Sequence, residues 1–183
     1  MKRMCFMACL ALLAAGCNNN TESKDAKPAD AATTAAPAAK LDFPYTLKEP
    51  YKNWQPGDQQ HALTVMKSLK GFETGDMAAC MADFGDSVLV MFDGYRAKLS
   101  HDSLQKQFTA QRGGYSSIVI TMSDWESVIS ADKKEEWVTL WYKQVETAKN
   151  GKVDSLSVVD DAKIENGKIV LLDEKIQHYP VKK

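Results

Sequence analysis

Two Asn-Gly pairs constrain the fold of this chain more than any other feature. Asn150-Gly151 and Asn166-Gly167 each interrupt a long run of alternating or apolar residues. A two-residue hairpin turn that follows the twist of its strands needs positive φ at both central positions, which Asn and Gly accept most readily. The chain beyond Gly114 therefore reads as a meander of four segments, about Tyr115–Ile129, Glu136–Ala148, Val153–Glu165 and Lys168–Tyr179. A looser turn around Ala131-Asp132-Lys133 joins the first two. All four exceed the usual strand length of roughly 5–6 residues, so the sheet is expected to twist and bend strongly.

Ahead of the meander the pattern is helical. Pro56-Gly57-Asp58 forms a turn, and Asp58 caps a helix running to about Thr74, in which Ala62, Val65, Met66, Leu69 and Phe72 recur at helical spacing. Gly75 stands where a left-handed C-terminal residue belongs, and Asp76 caps a shorter helix through Phe84. Ser87–Phe92 reads as a buried strand, Asp93-Gly94 as its turn and Tyr95–Leu99 as the return. Ser100 caps a third helix, with Asp102 in the first turn where the helix dipole favours an acid, and Gly113-Gly114 ends it. These elements predict an α+β fold: three N-terminal helices packed in a strongly bent antiparallel sheet.

The first forty residues belong to a different class. Met1-Lys2-Arg3-Met4 is a basic flank, Cys5–Leu13 is apolar, and Ala14-Ala15-Gly16 places small residues before Cys17. That is the layout of a secretory signal, and its apolar stretch is too short to span a bilayer. Leu13-Ala14-Ala15-Gly16-Cys17 also resembles the bacterial lipobox. The resemblance implies acylation at Cys17 and a chain anchored to the envelope membrane without crossing it. No acidic residue directly follows Cys17, which favours the outer membrane as its destination. Residues 18–40 contain no aromatic residue and no Leu, Ile, Val or Met. Such a composition buries too little apolar surface to offset the entropy of ordering, and reads as a disordered tether. Residues 41–183 remain as one domain, long enough for a core of its own.

Composition then excludes several classes. With Lys2 and Arg3 lost in the signal, the 23 basic residues become 21 against 24 acidic ones. The mature chain is mildly acidic and has no basic stripe, which argues against nucleic-acid binding. Once Cys5, Cys9 and Cys17 are accounted for, Cys80 is left alone in the apolar run Met77–Met81, where it reads as a small buried hydrophobe. No internal disulfide is expected.

Four stretches carry a family resemblance: Phe72-Glu73-Thr74-Gly75-Asp76, Phe92-Asp93-Gly94, Trp137-Val138 with Trp141, and Glu165-Asn166-Gly167-Lys168-Ile169. Set in this order of elements, they resemble the nuclear transport factor 2-like superfamily, which includes SnoaL-like polyketide cyclases and ketosteroid isomerases. The resemblance covers residues 50–180. It implies a cone in which a bent sheet wraps the helices around an apolar cavity, and a sheet that often dimerises. The superfamily hosts enzymes, binding modules and assembly domains alike, so function has to come from the site.

The chain has no phosphate-cradling glycine loop, no helical His-Glu pair for zinc and no nucleophile elbow. His61, His101 and His178 are not brought together by spacing, so no metal and no cofactor is expected. What remains is polar residues that interrupt apolar strand faces. By the period of two, Asp160 shares a face with Leu156, Val158, Ala162 and Ile164, while Asp124 and Glu126 share one with Ile118, Ile120, Met122 and Val128. Glu174 and His178 fall with Val170, Leu172 and Ile176. A carboxyl in an apolar cavity has its pKa raised by desolvation, which suits a general acid or base. In isomerase-type relatives a cavity carboxylate moves a proton beside a carbonyl. That resemblance makes Asp160 the candidate base, Tyr142 the candidate donor and His178 a second proton carrier. Asp124 and Glu174 are candidates for the pocket, and Trp137 and Trp141 for a pocket or an interface. Asp161 follows Asp160, so a slip of one residue would exchange the acid that faces inward.

Three functions follow as expectations. The first is a membrane-anchored module that binds a small apolar ligand or a protein partner without catalysis. The second is a proton-transfer isomerase or lyase. The third is an assembly role in which the sheet face makes a homodimer or docks a larger envelope complex.

Overall fold

The computed structural model describes residues 42–48 and 53–179. The expected signal, Cys17 and the tether lie outside the described residues. The elements run β1 (Gln55–Pro56), α1 (Gln59–Thr74), α2 (Met77–Met81), β2 (Phe84–Phe92), β3 (Tyr95–Ser100), α3 (His101–Arg112), β4 (Tyr115–Ile129), β5 (Glu136–Ala148), β6 (Val153–Glu165) and β7 (Lys168–His178). Among the described residues no helix is long and apolar enough to cross a membrane.

The helix ends form where the capping chemistry places them. The Asp58 carboxylate accepts from the Gln60 N–H, and that of Asp76 accepts from the Ala79 N–H. Ser100 accepts from the Ser103 N–H, and Gly75 closes α1 at φ 83°. Each cap satisfies backbone groups that the helix cannot pair itself. α2 is shorter than expected. Phe84 opens β2 rather than ending the helix, because the Ile169 N–H bonds to the Asp83 carbonyl and draws the next residues into the sheet.

Seven strands form one sheet in the order β1-β4-β5-β6-β7-β2-β3. The meander β4 to β7 is antiparallel throughout. β2, however, lies parallel to β7, so the sheet is mixed and not purely antiparallel as expected. Turn residues reveal hairpins, but the pairing of β2 with β7 joins segments far apart in sequence and leaves no local signature.

The two Asn-Gly turns also differ. Asn166 and Gly167 both take positive φ, 52° and 74°, as a two-residue turn requires. At Asn150-Gly151 only the glycine is left-handed, at 84°, and the Ala148 N–H bonds to the Lys152 carbonyl across a longer loop. The loop fixes the same register by a different geometry.

Side chains from one face of the sheet and from the helices make the core. Leu140, Val138, Val158 and Ala162 from β5 and β6 meet Ala62 and Val65 of α1 and Leu104 and Phe108 of α3. Gly71 on α1 lies so close to α2 that an added Cβ would stand 2.3 Å from the Cys80 nitrogen. A side chain there would force the helices apart.

Candidate functional site

Alternation along three neighbouring strands builds the site. On β5, Val138, Leu140, Tyr142 and Gln144 are buried on the helix side. On β6, Leu156, Val158, Asp160, Ala162 and Ile164 are buried on that same side. Leu140 pairs with Asp160 across β5 and β6, and Asp160 pairs with Glu174 across β6 and β7. These registers set a tyrosine and two acids side by side against the apolar core.

They line a cavity of about 70 Å³, well above the roughly 10–15 Å³ that admits one water. Its deep end holds Tyr142, Asp160, Ser68 and Cys80, all buried. The half-buried Glu146 and the exposed Gln111 mark its mouth. Phe72, Phe84, Phe92 and Phe108 form an aromatic wall, with the other three ring centroids 5.7, 5.8 and 6.3 Å from that of Phe108. Among the described residues no Lys, Arg or His lines this cavity.

Electrostatics follow from that composition. The Tyr142 hydroxyl donates to Asp160 Oδ2 at 2.8 Å. The other oxygen, Oδ1, is buried and has no hydrogen-bond partner, the only such side-chain atom among the described residues. Burial raises the Asp160 pKa to about 7; the Tyr142 bond opposes the rise and neighbouring Asp161 adds to it. Burial, then Asp160 and Glu146, raise Glu174 to about 8. The two acids share protons near neutrality, because a second charge in this pocket would face the first with no cation between them. The Tyr142 phenol is held well above its ordinary value, chiefly by burial and then by Asp160, and stays a donor. Burial pushes the Cys80 thiol up to about 11, which leaves it protonated and unreactive.

The structure brings Tyr142, Asp160 and Glu174 together and separates the other candidates from them. His178 is exposed near the end of β7, with Nδ1 3.1 Å from Asp154 Oδ2, and is no part of the cavity. Asp124 is also corrected to the surface. A register shift between Met122 and Asp124 inverts the alternation, and Asp124 turns back to accept from the Trp125 N–H. Trp137 and Trp141 occupy alternate positions on the opposite face of β5 and do not line the cavity. A second irregularity on β7, near Lys163 of its partner strand, places Ile169 inward in place of Val170. Sequence reasoning missed Gln144 and Glu146, joined by a 2.7 Å hydrogen bond. Both share the parity of Tyr142, so the period of two already carried the signal.

No family model matches the chain, and no curated protein matches it. Solved structures do, and they define the class: the chain has the nuclear transport factor 2-like fold. One is a nuclear transport factor 2-like protein of unknown function from Exiguobacterium sp. 255-15, 18% identical, at a TM-score of 0.51 over 62% of this chain and 98% of that one. An epoxide hydrolase from M. tuberculosis is 14% identical at 0.53, over 67% of this chain and 86% of its own. AclR from Streptomyces galilaeus, a candidate hydroxylase, is 11% identical at 0.54, over 68% and 83%.

Proposed function

We propose that this chain is a lipid-anchored envelope protein whose cone-shaped domain binds a small, largely apolar molecule in its cavity without catalysis. One observation carries the reading: a half-open cavity with aromatic and aliphatic walls holds a buried carboxyl oxygen, Asp160 Oδ1, that no described residue satisfies. Pockets of this composition use apolar walls for affinity and a few polar atoms for orientation. Cys17 and the tether would hold the cavity at the outer membrane, within reach of envelope molecules. The test is native mass spectrometry on the protein released from its own envelope. A small-molecule adduct that disappears on denaturation is expected, and a clean apo mass from that source would overturn the reading.

A second reading, proton transfer beside a carbonyl, is favoured by the Tyr142–Asp160 hydrogen bond and by a carboxyl that titrates near neutrality. Fold neighbours include a protein named as an epoxide hydrolase and a candidate hydroxylase, so this architecture is compatible with chemistry in such a cavity. Here Asp160 Oδ1 would take the proton and Tyr142 would hold the other oxygen in place. Deuterium exchange into the α-positions of cyclohexanone, lost in Asp160→Asn, is the expected signature. Exchange at the same rate in both proteins would sink it.

A further inference from the structure

We propose that the ligand of this cavity is an organic cation, an ammonium group on an apolar body, with its charged end held between Asp160 and Glu174. The inference rests on the cavity-binding reading above and adds the chemical class of the ligand.

Its first support is how the molecule treats acids elsewhere. On the opposite sheet face Asp161 and Asp173 share Lys175, at 2.7 and 2.8 Å. Glu135 and Glu165 share Lys163, and Asp83 has Lys168. Inside the cavity Asp160 and Glu174 face each other across β6 and β7, with Glu146 nearer the mouth, and no Lys, Arg or His is among the described lining residues. The second support is the hydrogen bonding of Asp160 itself. Asp160 is 4% exposed, yet one of its oxygens has no partner among the described residues. A buried acceptor left unsatisfied costs stability, and well-packed apolar side chains of similar volume would usually cost less. An acid at such a position has the geometry of one awaiting a donor from a ligand.

The alternatives fit less well. An anionic ligand would add charge where the chain's own acids already share protons. A neutral ligand would satisfy Oδ1 but would not let Asp160 and Glu174 ionise together. A metal ion lacks a cage, since no group of three or more His, Cys, Asp or Glu among the described residues is placed to hold one. An organic ammonium meets both halves of the pocket: carboxylates at one end and an aromatic wall whose ring faces also attract cations.

The probes are benzylamine, benzyl alcohol and benzoate, nearly isosteric and differing in charge. They would be titrated calorimetrically into the full chain in detergent. At about pH 8, benzylamine is expected to bind at least about tenfold more tightly than benzyl alcohol, with benzoate weakest. In Asp160→Asn combined with Glu174→Gln, the preference should fall to within about twofold while benzyl alcohol still binds, which shows that the cavity persists. Benzyl alcohol binding as well as benzylamine would overturn the cation and leave the binding cavity standing. So would a double variant that keeps the full preference. No binding by any of the three would overturn the cavity reading along with it.

Discussion

The two faces of the sheet each carry acids from β6 and β7 and treat them in opposite ways. Asp160 and Asp161 are adjacent, as are Asp173 and Glu174, and alternation sends one of each pair to each face. Outside, Asp161 accepts from Thr139 at 2.6 Å and from Lys175 at 2.7 Å, and Lys175 also holds Asp173. Inside, Asp160 has one phenol and no cation, and Glu174 faces it across the ladder. Residue type therefore says little about these acids. Their chemistry depends on which side of the backbone each falls, and that is fixed by the register of β5, β6 and β7. The outer face is a solvated surface whose charges are neutralised locally; the inner face is a low-dielectric site whose acids hold protons towards neutrality.

The largest expected contrast lies in packing. Leu140 is fully buried on the inner face opposite Asp160, whereas Val119 on β4 is 54% exposed. Leu140→Ala should cost about 2–5 kcal/mol, from lost transfer energy and the cavity left behind, while Val119→Ala should stay within about 0.5 kcal/mol. Urea melts of the two variants check this. Equal losses would mean that the faces do not differ in packing as described.

Next in size is the pair of aspartates. The folded-state pKa of Asp160 is raised from 3.8 to about 7 and that of Glu174 from 4.5 to about 8. Between those limits the folded state holds more protons than the unfolded chain, so stability falls as pH rises through the window. Below about pH 4 both states are protonated and the contribution is complete; above about pH 8 it is gone. Asp160→Asn removes about half of that slope. It should stabilise the protein by about 1–3 kcal/mol at pH 8 and leave it little changed near pH 4. Asp161→Asn should do the reverse, losing up to about 1 kcal/mol at pH 8 with its exposed ion pair. Denaturant midpoints across the pH range would decide; a flat wild-type profile would rule out a buried titrating pair.

Much of this arrangement was legible in the sequence, and the gaps have physical causes. The helices, their caps and the four long strands follow from Asp58, Asp76, Ser100, Gly75 and the turn residues, because each of these signals is local. Asp160 could be set on the inner face because Leu156, Val158, Ala162 and Ile164 keep strict alternation through β6. The same rule misplaced Asp124, because the inserted residue before it inverts the strand without any change in composition. It misplaced His178 because alternation says nothing of where a strand leaves the core. The parallel pairing of β2 with β7, and with it the aromatic wall, depends on contacts between segments far apart, which no period reports.

Tyr142→Phe sharpens the inner face alone. The phenol is the one hydrogen-bond donor to Asp160 among the described residues, and that bond holds its pKa down against burial. Without it the Asp160 titration should move further up, and stability at pH 8 should drop by about 1–2 kcal/mol because a hydrogen bond to an ionised group is lost. Carbon-13 spectra of the labelled carboxyl report the titration directly. A midpoint that stays in place or moves down would show that Tyr142 does not govern it.

The smallest effect belongs to Lys175, yet it separates the faces most cleanly. Its ammonium bridges Asp161 and Asp173, which sit directly opposite each other in the ladder, but its side chain is 53% exposed. Lys175→Met therefore should cost only about 0.5–1 kcal/mol at low salt, part of it from the repulsion left between two facing acids. In roughly 1 M salt the screening length shrinks to about 3 Å, and that loss should fall towards zero. The gain from Asp160→Asn at pH 8 should persist at the same salt, since ions do not penetrate the buried pair. If the two variants responded to salt alike, the inner acids would be solvated, and the cavity would be continuous with bulk water.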